Sequence, residues 1–228
     1  MPSPKISLNK LGEYLTATPA RRKRIVQDQQ DPKPFIVARY SDAREAIVDF
    51  LASGMTEEKK LLSQAKKLRF DDSGTAFSYQ DKLASAEAIE SFAEAADQID
   101  LEDLKVVPVE NSSSHNMEIS GVNVSIRPDA YLKDPITGDT VGAIKLHFPK
   151  TTPLNDDALG YVATALRVHL NDAKDAKVVD HKKCYVVDVS TRTVAHAPKA
   201  FTKKMNDIAA AREEIEARWK RNQVSDAT

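Results

Sequence analysis

Apolar residues along this chain keep the spacing of helices up to about residue 100, switch to the alternation of strands, and return to helical spacing near residue 155. Leu8, Leu11, Leu15 and Ile25 mark a loose helical segment interrupted by Pro19, and Asp31-Pro32-Lys33-Pro34 breaks it. Ala43, Ala46, Ile47, Phe50 and Leu51 form one stripe behind Ser41, a good N-cap, and Gly54 ends that helix. Thr56 opens another, with Glu57 and Glu58 early, Lys66 and Lys67 late, and Leu61, Leu62, Ala65 and Leu68 on the buried side. Residues 70–79, which include Asp71-Asp72-Ser73-Gly74, read as a loop. A long helix over 80–99 follows, carrying Leu83, Ile89, Phe92, Ala96 and Ile99.

The period then drops to two. Leu104 to Val109 and Met117 to Ile119 are short β runs, and Ser120-Gly121 turns the second into Val122, Val124 and Ile126, which alternate with Asn123, Ser125 and Arg127. The stretch from Val122 to Phe148 is expected to be two strands joined by a tight loop over 133–139. Asp129 stands near the end of the first and Lys145 inside the second, while Pro128 belongs at a strand end. In the second strand Gly142, Ile144, Leu146 and Phe148 point one way and Ala143, Lys145 and His147 the other. Asn155 caps a helix with Asp156 and Asp157 in its first turn and Leu159, Val162, Leu166 and Leu170 as its stripe. Lys183 to Ser190 is a strand, Thr193 to Ala197 its hairpin partner, and a helix over 200–221 closes the pattern. The chain is therefore expected to be α+β, with an N-terminal helical lobe over 1–78, a main domain over 79–222 and a tail over 223–228.

Composition changes this picture little. Hydrophobic residues are 41%, charged residues 29%, and the formal net charge is −1, so no global basic field points to nucleic acid. Arg21-Arg22-Lys23-Arg24 reads as a solvated helix face in preference to a phosphate site. Cys184 is the single cysteine and excludes an internal disulfide; it reads as a buried structural thiol suited to a reducing compartment. No window approaches the ~18 apolar residues of a membrane span, and the first residues lack a secretory signal pattern, so the expectation is a cytoplasmic protein with no membrane partner.

Candidate chemistry centres on Lys145, because a lysine between Ile144 and Leu146 in a central strand needs a partner or a cleft. From Gln80 to Trp219 the order is helix, three strands, helix, strand, with Pro128-Asp129 on the second strand and this lysine on the third. That order resembles the PD-(D/E)xK nuclease superfamily, and the flanks look most like its RecB and Cas4 exonuclease branch. The resemblance implies an α/β sandwich with a restriction-endonuclease-like αβββαβ core, and a Mg²⁺- or Mn²⁺-dependent nuclease acting on DNA, in DNA processing or phage defence. In such a site an aspartate and an acid on the next strand hold the metal, and a lysine two positions after that acid orients the attacking water or stabilises developing charge. Asp129 and Lys145 match the aspartate and the lysine, whereas the second acid is replaced by Ala143. Glu118 is the candidate to supply the missing metal ligand, with Glu87, Glu90 and Glu94 on the long helix as further acids. His115 and His147 are accessory candidates, and Tyr161 stands where the branch has a Gln-x-x-x-Tyr motif, with Asp157 at the glutamine position. Two readings stay open beside the nuclease: a non-catalytic relative that binds nucleic acid or a protein partner in a larger assembly, and an α+β interaction module unrelated to nucleases.

Overall fold

A computed structural model of the chain describes residues 3–31, 39–109, 116–119, 122–172 and 179–225. In chain order the elements are β1 (Lys5–Ser7), α1 (Leu8–Thr16), α2 (Pro19–Gln30), α3 (Ser41–Ala52), α4 (Glu58–Phe70), α5 (Ala76–Ala93), β2 (Lys105–Pro108), β3 (Asn116–Ile119), β4 (Val122–Ser125), β5 (Ala130–Lys133), β6 (Thr140–His147), α6 (Asp156–Asn171), β7 (Cys184–Asp188), β8 (Thr193–His196) and α7 (Thr202–Ser225). The α+β class follows directly.

Side-chain caps account for several boundaries. Thr18 accepts from the Arg21 amide with Pro19 in the first helical turn, so Pro19 starts α2 where it was expected only to interrupt a helix. Thr75 accepts from the Ser78 amide at 3.2 Å, starting α5 four residues before the expected position. Asn155 caps α6 as expected, accepting from the Ala158 amide at 2.9 Å. Ser41, expected as an N-cap, is the first residue of α3; Tyr40 holds the cap position with φ 63°.

Five strands form the larger sheet in the order β2-β5-β6-β7-β8. β5 pairs antiparallel with both β2 and β6, β7 lies parallel to β6 after the α6 crossover, and β8 returns antiparallel. A second sheet has the order β1-β4-β3, in which β1 is parallel to β4 and β3 antiparallel to it. The stretch from Val122 to Phe148 is thus three strands in two sheets, and not two strands in one. The chain leaves the small sheet after Ser125 and enters the large one at Ala130. Pro128 has no amide hydrogen to give a ladder, so the break falls around it. Asp129 consequently precedes β5 instead of ending β4, held by its amide on the Ile144 carbonyl (2.8 Å) and by its carbonyl on the Val109 amide (3.2 Å).

The alternation on β6 assigns its two faces to two cores. Ile144, Leu146 and Phe148 join Ala130, Leu132, Tyr185 and Val187 beneath α3, α4 and α5. Ala143 joins Cys184 and Val186 beneath α1, α6 and α7, together with Ile6, Val122 and Val124 of the small sheet. The segment expected as a front lobe over 1–78 is shared between these cores: β1 pairs with β4, α1 packs on α6, α2 on α7, and α3 and α4 on α5. Three of the four cations of the basic run in α2 are ion-paired within the chain, Arg21 with Glu13, Arg22 with Glu214 and Arg24 with Asp28.

Candidate functional site

Pairing of Ala130 with Ile144 places Asp129 level with Lys145 on the neighbouring strand. Both are buried, Asp129 with 7% and Lys145 with 8% of its surface exposed. The Lys145 ammonium donates to Asp129 Oδ2 at 3.0 Å, and the Leu146 amide donates to the same oxygen at 2.7 Å. The other oxygen, Oδ1, is ion-paired with Arg44 of α3, a helix that covers the opposite face of the sheet. Arg44 also lies 5.0 Å from the centre of the Phe148 ring, and that ring is stacked on Tyr40 at 5.2 Å with 13° between the planes. Tyr40 holds its left-handed backbone conformation one turn before Arg44, with its amide donating to Asp81 Oδ1 of α5 at 3.2 Å. Non-glycine residues in that region cost energy and persist where the surroundings impose them.

Electrostatics mark the site as rich in positive charge. Burial, reinforced by the charges of Arg44 and of Arg127, pushes the Lys145 pKa well below that of an ordinary lysine. Burial and then Arg127 lower Arg44 in the same direction. Arg127 is exposed, on the connection between β4 and β5. Two basic side chains, Arg44 and Lys145, therefore pair with one carboxylate. A buried lysine needs a counter-charge to stay protonated, and the Asp129 carboxylate at 3.0 Å is the one that bonds it.

The remaining candidates fall elsewhere. Glu118 lies on β3, exposed, opposite Asn123 in the small sheet. His115 is outside the described residues. Ala143 is fully buried in the core under α6, opposite Tyr131 and Cys184. Glu87, Glu90 and Glu94 form ion pairs with Lys150, Arg69 and Arg192. Tyr161 donates to Asp207 of α7 at 2.7 Å and carries the Lys204 ammonium 4.0 Å above its ring, and burial first, then Asp207, pushes its pKa up to about 12. It ties α6 to α7. Cys184 is buried, and its thiol is raised to about 12 chiefly by that burial, which suits a structural role.

His147 is a core histidine. Its Nε2 donates to the Thr152 carbonyl at 2.8 Å, while Nδ1 is buried with no hydrogen-bond partner. Burial, the largest influence, lowers its pKa. The unfolded chain therefore takes up this proton first as pH falls, so stability is full above the ordinary histidine value of about 6.5 and is lost as pH drops towards and through the folded value. Urea midpoints at pH 7.5 and 5.0 are expected to differ more for the wild type than for His147→Gln. Equal differences would exclude His147 as the origin of the acid sensitivity.

No protein-family model matches this chain, and no curated protein sequence matches it. The functional reading therefore rests on the site itself. The residues present do not fit the divalent cation that the nuclease resemblance implies. Both oxygens of Asp129 are engaged by donors, the second acid is a methyl group in an apolar core, and Arg44, Arg127 and Lys145 would repel an incoming cation. Among the described residues, no group of three or more His, Cys, Asp or Glu side chains is arranged to hold a metal ion. Arg44 and Arg127 were absent from the residues expected at the site. Arg44 gave no signal because its contact depends on how α3 docks, whereas Arg127 next to Pro128-Asp129 was visible as the polar face of a strand.

Proposed function

We propose that this chain is a nuclease-fold protein of the PD-(D/E)xK type whose site binds a nucleic-acid phosphate without hydrolysing it. The fold-level support is that, with β3 and β4 of the small sheet set aside, α5, β2, β5, β6, α6 and β7 follow in chain order, three antiparallel strands and a crossover to a parallel fourth, as the αβββαβ reading expects. The observation that carries the functional reading is the Asp129 carboxylate bonded by Lys145, the Leu146 amide and Arg44. An aspartate so engaged, with alanine where the partner acid would stand, offers neither a metal cradle nor a base for water. Arg44, with 39% of its side chain exposed, is the accessible cation of this cluster, and a guanidinium so placed favours phosphate oxygens.

Fluorescence anisotropy of labelled single-stranded and double-stranded DNA and of RNA, at stepped salt concentrations with and without Mg²⁺ or Mn²⁺, tests this reading. The expected result is salt-sensitive binding with every strand left intact. Arg44→Ala is expected to reduce the slope of log affinity against log salt by about 0.7 to 0.9, one phosphate contact. Metal-dependent cleavage that disappears in Lys145→Ala would overturn the non-hydrolytic reading in favour of the nuclease. Absence of binding to every strand would remove nucleic acid altogether.

A further inference from the structure

We infer that the nucleic acid bound at Arg44 is single-stranded, and that it runs over the surface from Arg44 past Tyr40 to Arg39 and Phe77, where α3 meets α5; this rests on the phosphate-binding reading above. Two observations carry it.

The first is an alternation of cations and rings. Arg44 lies 5.0 Å from the centre of the Phe148 ring, and the half-buried Tyr40 stacks on that same ring. One residue earlier, Arg39 is exposed and holds its guanidinium 5.7 Å from the centre of the Phe77 ring in the first turn of α5. Two backbone amides fix these side chains in one neighbourhood. The Arg44 amide donates to the Tyr40 carbonyl at 2.9 Å, and the Tyr40 amide donates to Asp81, one turn after Phe77 on α5. Arg44, Tyr40, Arg39 and Phe77 therefore follow one another as cation, ring, cation, ring. A single strand offers the matching series of phosphates and open base faces, and bases stack on such rings without regard to sequence. A duplex keeps its base faces stacked on one another, so it can use the arginines but not the rings.

The second is the exposure of the rings at the far end of this path. Phe77 is 47% exposed, whereas α5 buries Ala86, Ile89 and Phe92 in its own packing. Phe70, which ends α4, is 73% exposed and stands at the same end of the α4–α5 hairpin. Two of the four exposed large apolar side chains among the described residues are thus gathered at one place, and apolar surface gathered in that way marks an interaction site. The exposed Arg39 beside it gives the partner its sign, which is negative.

The test uses fluorescence anisotropy on the full-length wild-type chain with three labelled DNA ligands: a single strand, the same strand annealed to its complement, and a strand of equal length made of abasic nucleotides. The intact single strand is expected to bind at least tenfold more tightly than either of the others. Arg39→Gln is expected to reduce the slope of log affinity against log salt by about 0.7, the value for one phosphate of a single strand. Phe77→Leu, a surface change that keeps an apolar side chain and removes the ring, is expected to cut the advantage of single strand over duplex at least fivefold. A duplex or an abasic strand that binds the wild type as tightly as the intact single strand would overturn the inference and leave phosphate binding standing. An advantage unchanged in Phe77→Leu would overturn the path proposed for the strand. Failure of all three ligands to bind would overturn both readings, and that comparison needs no variant to fold.

Discussion

Asp129→Ala is expected to lower the unfolding free energy by about 3–5 kcal/mol, the range for removing one partner of a buried ion pair. The physical reason is what it leaves behind. Lys145 is almost fully buried, its ammonium is bonded to Asp129, and the nearby charges of Arg44 and Arg127 are repulsive. The Leu146 amide loses its acceptor at the same moment, a further buried donor without a partner. Asp129→Asn keeps an oxygen for that amide and removes only the charge, so it is expected to fall between alanine and the wild type. The double variant Asp129→Ala with Lys145→Met removes the stranded charge and is expected to regain more than half of the loss, which a double-mutant cycle in urea reads directly. If Asp129→Ala changes the midpoint by less than about 1 kcal/mol equivalent, the pair is solvated and contributes like a surface ion pair. In that case the buried ion pair argued for the site does not exist.

Gly142→Ala is expected to cost about 3 kcal/mol or more, at the upper end of overpacking substitutions. A Cβ there would lie 2.7 Å from the Lys183 carbonyl carbon and 2.8 Å from its Cβ, and closer still to the carbonyl oxygen. The obstacle is mainly backbone, so no side-chain rotation relieves it. Nor can Lys183 move away easily. Its ammonium donates to the Asp100 carbonyl at 2.9 Å and pairs with Glu102 at 3.0 Å, and the Tyr185 hydroxyl donates to the same Asp100 carbonyl at 3.0 Å. The strain falls at the start of the parallel β6–β7 ladder, one residue before Ala143 pairs with Cys184. A chemical-denaturation midpoint within experimental error of the wild type would mean that the two strands separate locally at little expense.

The two substitutions differ in how far they were visible beforehand. Lys145 stood out because an ammonium between Ile144 and Leu146 conflicts with burial, and a conflict of that kind is readable without coordinates. Asp129 stood out only beside Pro128. Gly142 looked like one of several inward-pointing strand positions, since the carbonyl that forbids a methyl there comes from residue 183. Tyr161 shows the opposite failure: its place in a sequence pattern suggested the site, yet its hydroxyl serves Asp207 between two helices.

What the chain determined by itself is local. The 3.6-residue stripes placed α3, α4 and α6, and alternation placed β6 with its two faces, because those periods are properties of the backbone and survive any tertiary arrangement. The pairing of Asp129 with Lys145 was half-legible for the same reason, as both flank one connection. Tertiary structure alone decided that the strand breaks at Pro128 into two sheets, that Glu118 lies in the small sheet, and that the cation on Asp129 is Arg44. Each of these depends on which surfaces meet across 80 residues or more of chain, or on a donor count at a strand end. Burial and hydrogen bonding settle those matters only when the whole molecule closes around them.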